Sequence, residues 1–238
     1  MKKIGSASHP KESKRHIAQS ERAMLQPRDS RGRFTGYDTV MVIDEFGNPG
    51  LIPRKSETKF GYAISVMDDP DAFGRITDYS RRNNEPERKA RDDHINQYRV
   101  AEEIHRMGVR TSAFYVDKAN PPNYWKDKNR GRAMRRTLDI SMSRAISKTN
   151  GNVFVVVDNH SAYKGQVGQM ISSKSGGGRL VGGGVYDSHA GLMADVLQTH
   201  DHVANSARAS IETGDSRRAK MLKMKIEKIG EDDADAKV

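Results

Sequence analysis

Three apolar segments of the chain each run into an aspartate. Thr39-Val40-Met41-Val42-Ile43 leads to Asp44, Thr111 to Val116 leads to Asp117, and Val153-Phe154-Val155-Val156-Val157 leads to Asp158. A single Asp after a strand ordinarily serves a turn or caps a helix, and each of these taken alone reads that way. Three gathered at one edge of one sheet are a stronger signal, because like charges held together cost free energy unless a cation offsets them. The chain has no cysteine, so the donors would be oxygens, which favour Mg²⁺ or Mn²⁺ over zinc. Two such ions can activate a water and stabilise the leaving oxygen in phosphodiester hydrolysis.

Those aspartates need elements to hold them. Residues 39–43 form a compact β-branched run that ends in Asp44-Glu45 and the turn-like Phe46-Gly47-Asn48-Pro49-Gly50. Phe60 to Met67 reads as a second strand, and Arg75 to Tyr79 as a weak third. With short turns these make an antiparallel meander. From Glu87 to Met107 the period changes: Ile95, Tyr98, Ala101, Ile104 and Met107 recur at helical spacing, and Gly108 follows as a stop. Thr111–Val116 is the next strand. A helix is predicted from about Arg130 to Lys148, stopped at Asn150-Gly151, and it leads into the unbroken apolar run 153–157. A strand apolar on both faces is usually an interior parallel strand. Residues 161–190, with Gly176-Gly177-Gly178 and Gly182-Gly183-Gly184, read as a flexible flap. A long helix from Gly191 to Thr213 ends at Gly214, and a last charged helix spans Ser216 to Ile229. The order β-β-(β)-α-β-α-β-α predicts an α/β fold. Its mixed sheet has antiparallel first strands, parallel later strands and helices on both faces. Sites in such sheets form where strand ends and the following loops converge.

Several segments together resemble a known family. Val42-Ile43-Asp44-Glu45-Phe46-Gly47-Asn48 looks like the opening strand of the domain of unknown function 3800 proteins, two hydrophobic residues followed by Asp-Glu-Ser-Gly. Glu87-Arg88-Lys89 is similar to their Glu-x-Lys element, and Val155-Val156-Val157-Asp158 to their late strand. Leu197-Gln198-Thr199-His200-Asp201-His202-Val203-Ala204 resembles their Leu-Gln-x-Ala-Asp-x-x-Ala helix, with Gly214-Asp215 beyond it. The likeness runs from about Val40 to Asp215, and its specificity lies in the order and spacing of short motifs. It implies a ribonuclease H-like fold, with acids on the first strand, the first helix, a later strand and the last helix. Asp44, Glu87, either Asp117 or Asp158, and Asp201 fill those roles. Two residues depart from the family pattern: Phe46 stands where it has Ser, and His200 where it has Ala. Asp195, which keeps an Ala before it, competes with Asp201 for the helical position. The two lie about 240° apart around a helix, so only one is expected to join the others. Asp201 is preferred for its Leu-Gln before it and its Ala three residues on.

Other residues carry weaker signals. His160, His189, His200 and His202 fall near the proposed site. Neighbouring helical histidines diverge, so a zinc pair is not expected, and most are surface or supporting groups. No Gly-Lys-Ser/Thr follows the glycine triplets, which argues against a phosphate loop. Trp125, with Tyr124 and the basic residues Arg130, Arg132, Arg135 and Arg136, either stacks bases and holds phosphates or packs a loop against a helix with a solvated basic face.

Of the net charge of +10, residues 1–36 supply +6, nine Lys/Arg against three acids. Such a stretch reads as a disordered basic tail that raises non-specific affinity for nucleic acid. Residues 37–229 are expected to form one domain, followed by an acidic tail over 230–238. There is no apolar run of membrane-spanning length and no secretory leader pattern, which makes a cytoplasmic location the expectation. The leading expectation is a divalent-metal-dependent nuclease or phosphodiesterase, with Asp44, Asp158 and Asp201 as ligands of Mg²⁺ or Mn²⁺ and with Glu87 and Asp117 as further candidates. The rival is a non-catalytic nucleic-acid or protein binding module on a degenerate version of the same fold, and a third reading is an enzyme on a different phosphorylated substrate.

Overall fold

The computed structural model describes residues 37–50, 57–68, 94–126, 129–158, 164–174, 178–186 and 194–231, with residues 94–96, 164–166, 172, 194 and 195 described by backbone only. Its strands are β1 (Thr39–Gly47), β2 (Lys59–Met67), β3 (Arg110–Asp117), β4 (Val153–Asp158), β5 (Leu180–Tyr186) and β6 (Lys225–Lys228). The helices are α1 (His94–Arg106), α2 (Asn123–Lys126), α3 (Arg130–Ser147), α4 (Lys164–Lys174), α5 (Ala194–Arg208) and α6 (Arg217–Met221). The strands make one mixed sheet in the order β5-β4-β1-β2-β3-β6. β2 is antiparallel to both of its neighbours, while β1–β4, β4–β5 and β3–β6 are parallel.

Strand alternation divides the core in two. Val40, Val42 and Phe46 of β1, Ala63 and Met67 of β2, and Phe154 and Val156 of β4 pack with Val100, Ala101 and Ile104 of α1 and Leu197, Val203 and Ala207 of α5. Met41 and Ile43 of β1, Phe60, Tyr62 and Ile64 of β2, and Val155 and Val157 of β4 face the opposite way, onto α3 and α4. Helices therefore cover both faces. No helix among the described residues is long and apolar enough to cross a membrane.

Phe46 is buried, and its neighbour across the ladder is Gly61. A β-carbon at Gly61 would lie 2.7 Å from Cζ of Phe46 and would strike the carbonyl oxygen of Phe114 on the other side. The bulk added at position 46 is thus matched by the missing side chain at 61.

Two expectations are corrected. The glycine-rich stretch does not read as one flap, since it supplies a crossover helix, α4, and an edge strand, β5. The glycines permit the pairing, because a β-carbon at Gly183 (φ 153) would collide with the carbonyl of Val155. Nor does residues 216–229 form one helix. The helix stops after Met221, and 225–228 turn into β6, which pairs with the free edge of β3. A sheet edge offers a row of unpaired backbone groups, and that outweighs a weak helical pattern in a short charged segment. The end of the long helix is as expected at Gly214 (φ 75), although its last turn, Ala209–Thr213, widens to π geometry. The strand expected at 75–79, the helix start at 87–93, the basic tail 1–36 and residues 232–238 of the acidic tail lie outside the described residues.

Gly61→Ala is expected to destabilise the fold by about 1–3 kcal/mol, since neither the Phe114 backbone nor the packed Phe46 ring can yield cheaply. Chemical denaturation of the variant checks this, and an unchanged midpoint would show that the β2–β3 ladder relaxes more freely than the packing suggests.

Candidate functional site

Ile43 pairs with Val157 across the parallel β1–β4 ladder, so the next residues along, Asp44 and Asp158, are neighbours on adjacent strands. Such strands run about 4.8 Å apart. By alternation both aspartates point to the face that carries Val42, Phe46 and Val156, the face covered by α5. Asp44 keeps some exposed surface, but enough protein surrounds its carboxyl that burial raises its pKa well above the ordinary carboxylate range. The like charges of Asp158, Asp201 and Glu45 raise it further. One backbone N–H opposes them: that of Glu45 donates to Oδ1 of Asp44 at 2.7 Å. No basic side chain among the described residues offsets the Asp44 charge.

Asp201 reaches this position because its neighbour anchors the helix. His200 is buried against β2, with Nε2 3.1 Å from the carbonyl oxygen of Ala63 and Nδ1 2.8 Å from Oγ of the buried Ser65. A carbonyl can only accept, so Nε2 carries the proton and Nδ1 accepts from the Ser65 hydroxyl. Ala63 is the residue that faces Asp44 across the ladder. The clamp on Ala63 and Ser65 therefore fixes the rotation of α5 directly beside the β1 carboxylate. Burial pushes the His200 pKa from 6.5 down to about 4, against the raising effect of the Ala63 hydrogen bond. The ring is neutral and both nitrogens are engaged, which makes it a structural anchor and not a proton carrier.

The remaining expected residues separate from this group. Asp117 ends β3, on the far side of β2 from β1. The register aligns Asp44 with Ala63 and Ala63 with Ala113. Asp117 is thus two strands across, about 10 Å, and four residues along, roughly 13 Å. Its carboxylate pairs with Lys59 at 2.7 Å and Lys228 at 3.7 Å. Partial burial alone would raise its pKa, but the Lys59 hydrogen bond, the Ala119 N–H and both lysine charges together hold it below the usual range. It acts as an ion-pair partner of the β2 and β6 lysines, and the expectation that it joins the carboxylate edge is corrected. Asp215 lies at the protein surface, where hydrogen bonds from Arg217 pull its pKa down to about 2. Glu87, His160 and His189 lie outside the described residues, as does the side chain of Asp195. The charge of Asp201, the helical acid preferred from the sequence, falls on Asp44.

Trp125 is also corrected as a base-stacking residue. It is 3% exposed, packs against Phe60 at 5.4 Å between ring centroids, and donates from Nε1 to Oγ1 of Thr137 at 2.9 Å. Arg130, Arg132, Arg135 and Arg136 belong to α3, on the face of the sheet opposite the aspartates. Sequence reasoning missed the Ser65–His200–Ala63 clamp. The only hint was the departure at His200, and a contact spanning 135 residues has no local signature.

The carboxylates whose charges bear on Asp44 offer oxygen donors, suited to a hard divalent ion. As the side chains stand, no three His, Cys, Asp or Glu residues among those described are drawn tightly enough together to grip one. The donor chemistry fits such an ion, and closing on it would require side-chain movement.

The buried histidine has a consequence for pH. With a folded pKa below its unfolded value, the unfolded chain takes up the proton first. His200 thus contributes stability that is present above pH 6.5 and lost as pH falls towards 4. At roughly 1.4 kcal/mol per unit this amounts to about 3 kcal/mol. Urea titrations at a series of pH values should show that loss in the parent chain and a flatter profile in His200→Gln. The difference between the two profiles isolates His200 from Asp44, whose effect has the opposite sign; superimposable profiles would mean that the imidazole is not buried neutral.

Comparison of the chain with protein-family models, with curated proteins and with solved structures finds no match.

Proposed function

We propose that the protein is a divalent-metal-dependent phosphodiesterase acting on nucleic acid, a nuclease, with Asp44 as principal ligand and Asp158 and Asp201 as its companions. The observation that carries this reading is the β1–β4 register that sets Asp44 beside Asp158, with the charge of Asp201 falling on the same carboxyl. Carboxylates from a first strand, a later strand and the last long helix bear on one another there, and no basic side chain among the described residues offsets Asp44. A protein that needs only stability has little reason to keep such an arrangement, because an ionised carboxylate crowded by like charges is unfavourable in the absence of a cation. The antiparallel β1–β2–β3 set joined to parallel β4 and β5 supports the ribonuclease H-like fold that the resemblance to the domain of unknown function 3800 proteins implies. In both, acids stand on the first strand, a later strand and a late helix.

A bound Mg²⁺ or Mn²⁺ would supply Lewis acidity towards a phosphodiester oxygen and a hydroxide source near neutral pH. The chain's own part is to hold the carboxylates in place. Asp44 is fixed by two strand ladders, Asp158 by its neighbouring strand, and Asp201 by the His200 clamp one residue before it. To bind an ion, Asp44 must give up its proton. Its raised pKa therefore makes metal affinity climb as pH rises through the value at which Asp44 ionises.

Asp44 also sets the sign of a stability test. An acid whose folded pKa exceeds its unfolded one contributes stability only at low pH. That contribution is lost as pH rises from the ordinary carboxylate range through the folded value. Without metal at neutral pH, Asp44→Asn is therefore expected to melt higher than the parent chain, by about 2–4 °C for each kcal/mol relieved. Mn²⁺ is expected to raise the melting temperature of the parent chain and not of Asp44→Asn, with about 2.7 kcal/mol of stabilisation at a hundredfold excess over Kd. Scanning calorimetry with and without millimolar Mn²⁺ reads both effects. A parent chain indifferent to Mn²⁺ and Mg²⁺ would overturn the nuclease reading and leave the fold as a binding module.

A further inference from the structure

A cleft lies on the opposite side of the sheet from Asp44. α3 carries Arg132, Arg135 and Arg136, the i, i+3, i+4 spacing that sets side chains on one helix face. With Tyr124 of α2 they form one wall of a cleft of about 640 Å³, and Gln169 and Ser173 of α4 line the other. Asp139 also reaches the cleft, but its carboxylate is met by Arg136 at 3.2 Å and by Lys174. Along the described lining the three arginines, Arg132, Arg135 and Arg136, outnumber the one acid, Asp139.

Tyr124 is held in place from beneath the cleft lining by residues of the core. Thr137 of α3 accepts from Nε1 of buried Trp125, and its Oγ1 lies 3.4 Å from Oη of Tyr124. One hydroxyl thus ties α2 to α3 and sets the half-buried Tyr124 beside the arginines. Guanidinium groups one turn apart suit the oxygens of a phosphate. A half-buried aromatic ring gives a planar body something to lie against, and an amide and a hydroxyl on the facing wall suit sugar or base edges. The volume falls within the range of small-ligand sites.

From these features we infer that the α3–α4 cleft binds a nucleoside phosphate, either as a free mononucleotide or as one unit of a single-stranded polynucleotide. The inference does not rest on metal chemistry at Asp44, from which the sheet separates it.

The test uses the full chain with two probes: AMP by titration calorimetry, and a fluorescein-labelled oligothymidylate by anisotropy. Two variants are compared with the parent. Arg132→Glu/Arg135→Glu reverses the charge, and Ser173→Trp fills the cleft from its exposed wall without touching any charge. AMP binding weakened at least tenfold by both variants would establish the site and assign it to a free nucleotide. Oligonucleotide binding weakened by both, with no AMP binding, would also establish it and assign it to a polynucleotide. Binding of neither probe would overturn the inference. Loss with the charge reversal but not with Ser173→Trp would also overturn it, because that pattern belongs to general surface attraction. If the double variant fails to fold, Ser173→Trp alone decides.

Discussion

Asp44 sits on an interior strand with neighbours on both sides, and this constrains everything around it. The ladders to β2 and β4 leave its backbone no freedom, and alternation with Val42 and Phe46 commits its side chain to the face that α5 covers. It cannot swing out to water as a surface aspartate would. A like charge at close range near a protein surface costs on the order of a few kcal/mol. The single hydrogen bond from the Glu45 amide returns about 1.5–3 kcal/mol. The rest of the cost falls on the packing of the sheet and the two helix layers.

That packing has to hold α5 down beside charges that repel it. Apolar contacts from Leu197, Val203 and Ala207 attach the helix, but apolar contacts alone tolerate rotation and sliding. The His200 hydrogen bonds to Ala63 and Ser65 are directional, and they sit one residue before Asp201. A neutral imidazole suits this role. It supplies a donor and an acceptor at once, and burial keeps it uncharged, so no further ion enters a crowded site. His200, one of the two residues that stand out from the resembled motifs, is the one that fixes the helix.

What the sequence made legible follows from how local each cause is. β1, β2, β4, α3 and the Gly214 stop were readable because apolar period, β-branching and a left-handed glycine act within a few residues. β5 and β6 were not, since each is an edge strand whose form depends on a partner distant in the chain: Val155 accommodates Gly183, and β3 accepts residues 225–228. The same division holds for the site. The Asp44–Asp158 pairing could be anticipated, because two apolar strands that each end in Asp will align those ends if they lie parallel. Asp117 shared that local pattern yet took a different place, because β2 runs between β1 and β3 and presents Lys59 to it. Trp125 misled for a related reason: a lone tryptophan among basic residues looks like a stacking platform, whereas Phe60 and Thr137, distant in sequence from one another, draw it into the core.

The sheet also separates two kinds of charge. Carboxylates gather on the face covered by α1 and α5, and the arginine cleft opens on the face covered by α3 and α4. Within one layer, the α3 arginines would oppose the burial and like charges that raise the Asp44 pKa. Across a sheet and its two packed layers, roughly 10 Å or more of apolar side chains and backbone lie between them. Each face then keeps its own electrostatic character. The strand alternation that builds the core thus also keeps the Asp44 carboxyl and the α3 arginines on opposite faces of one sheet.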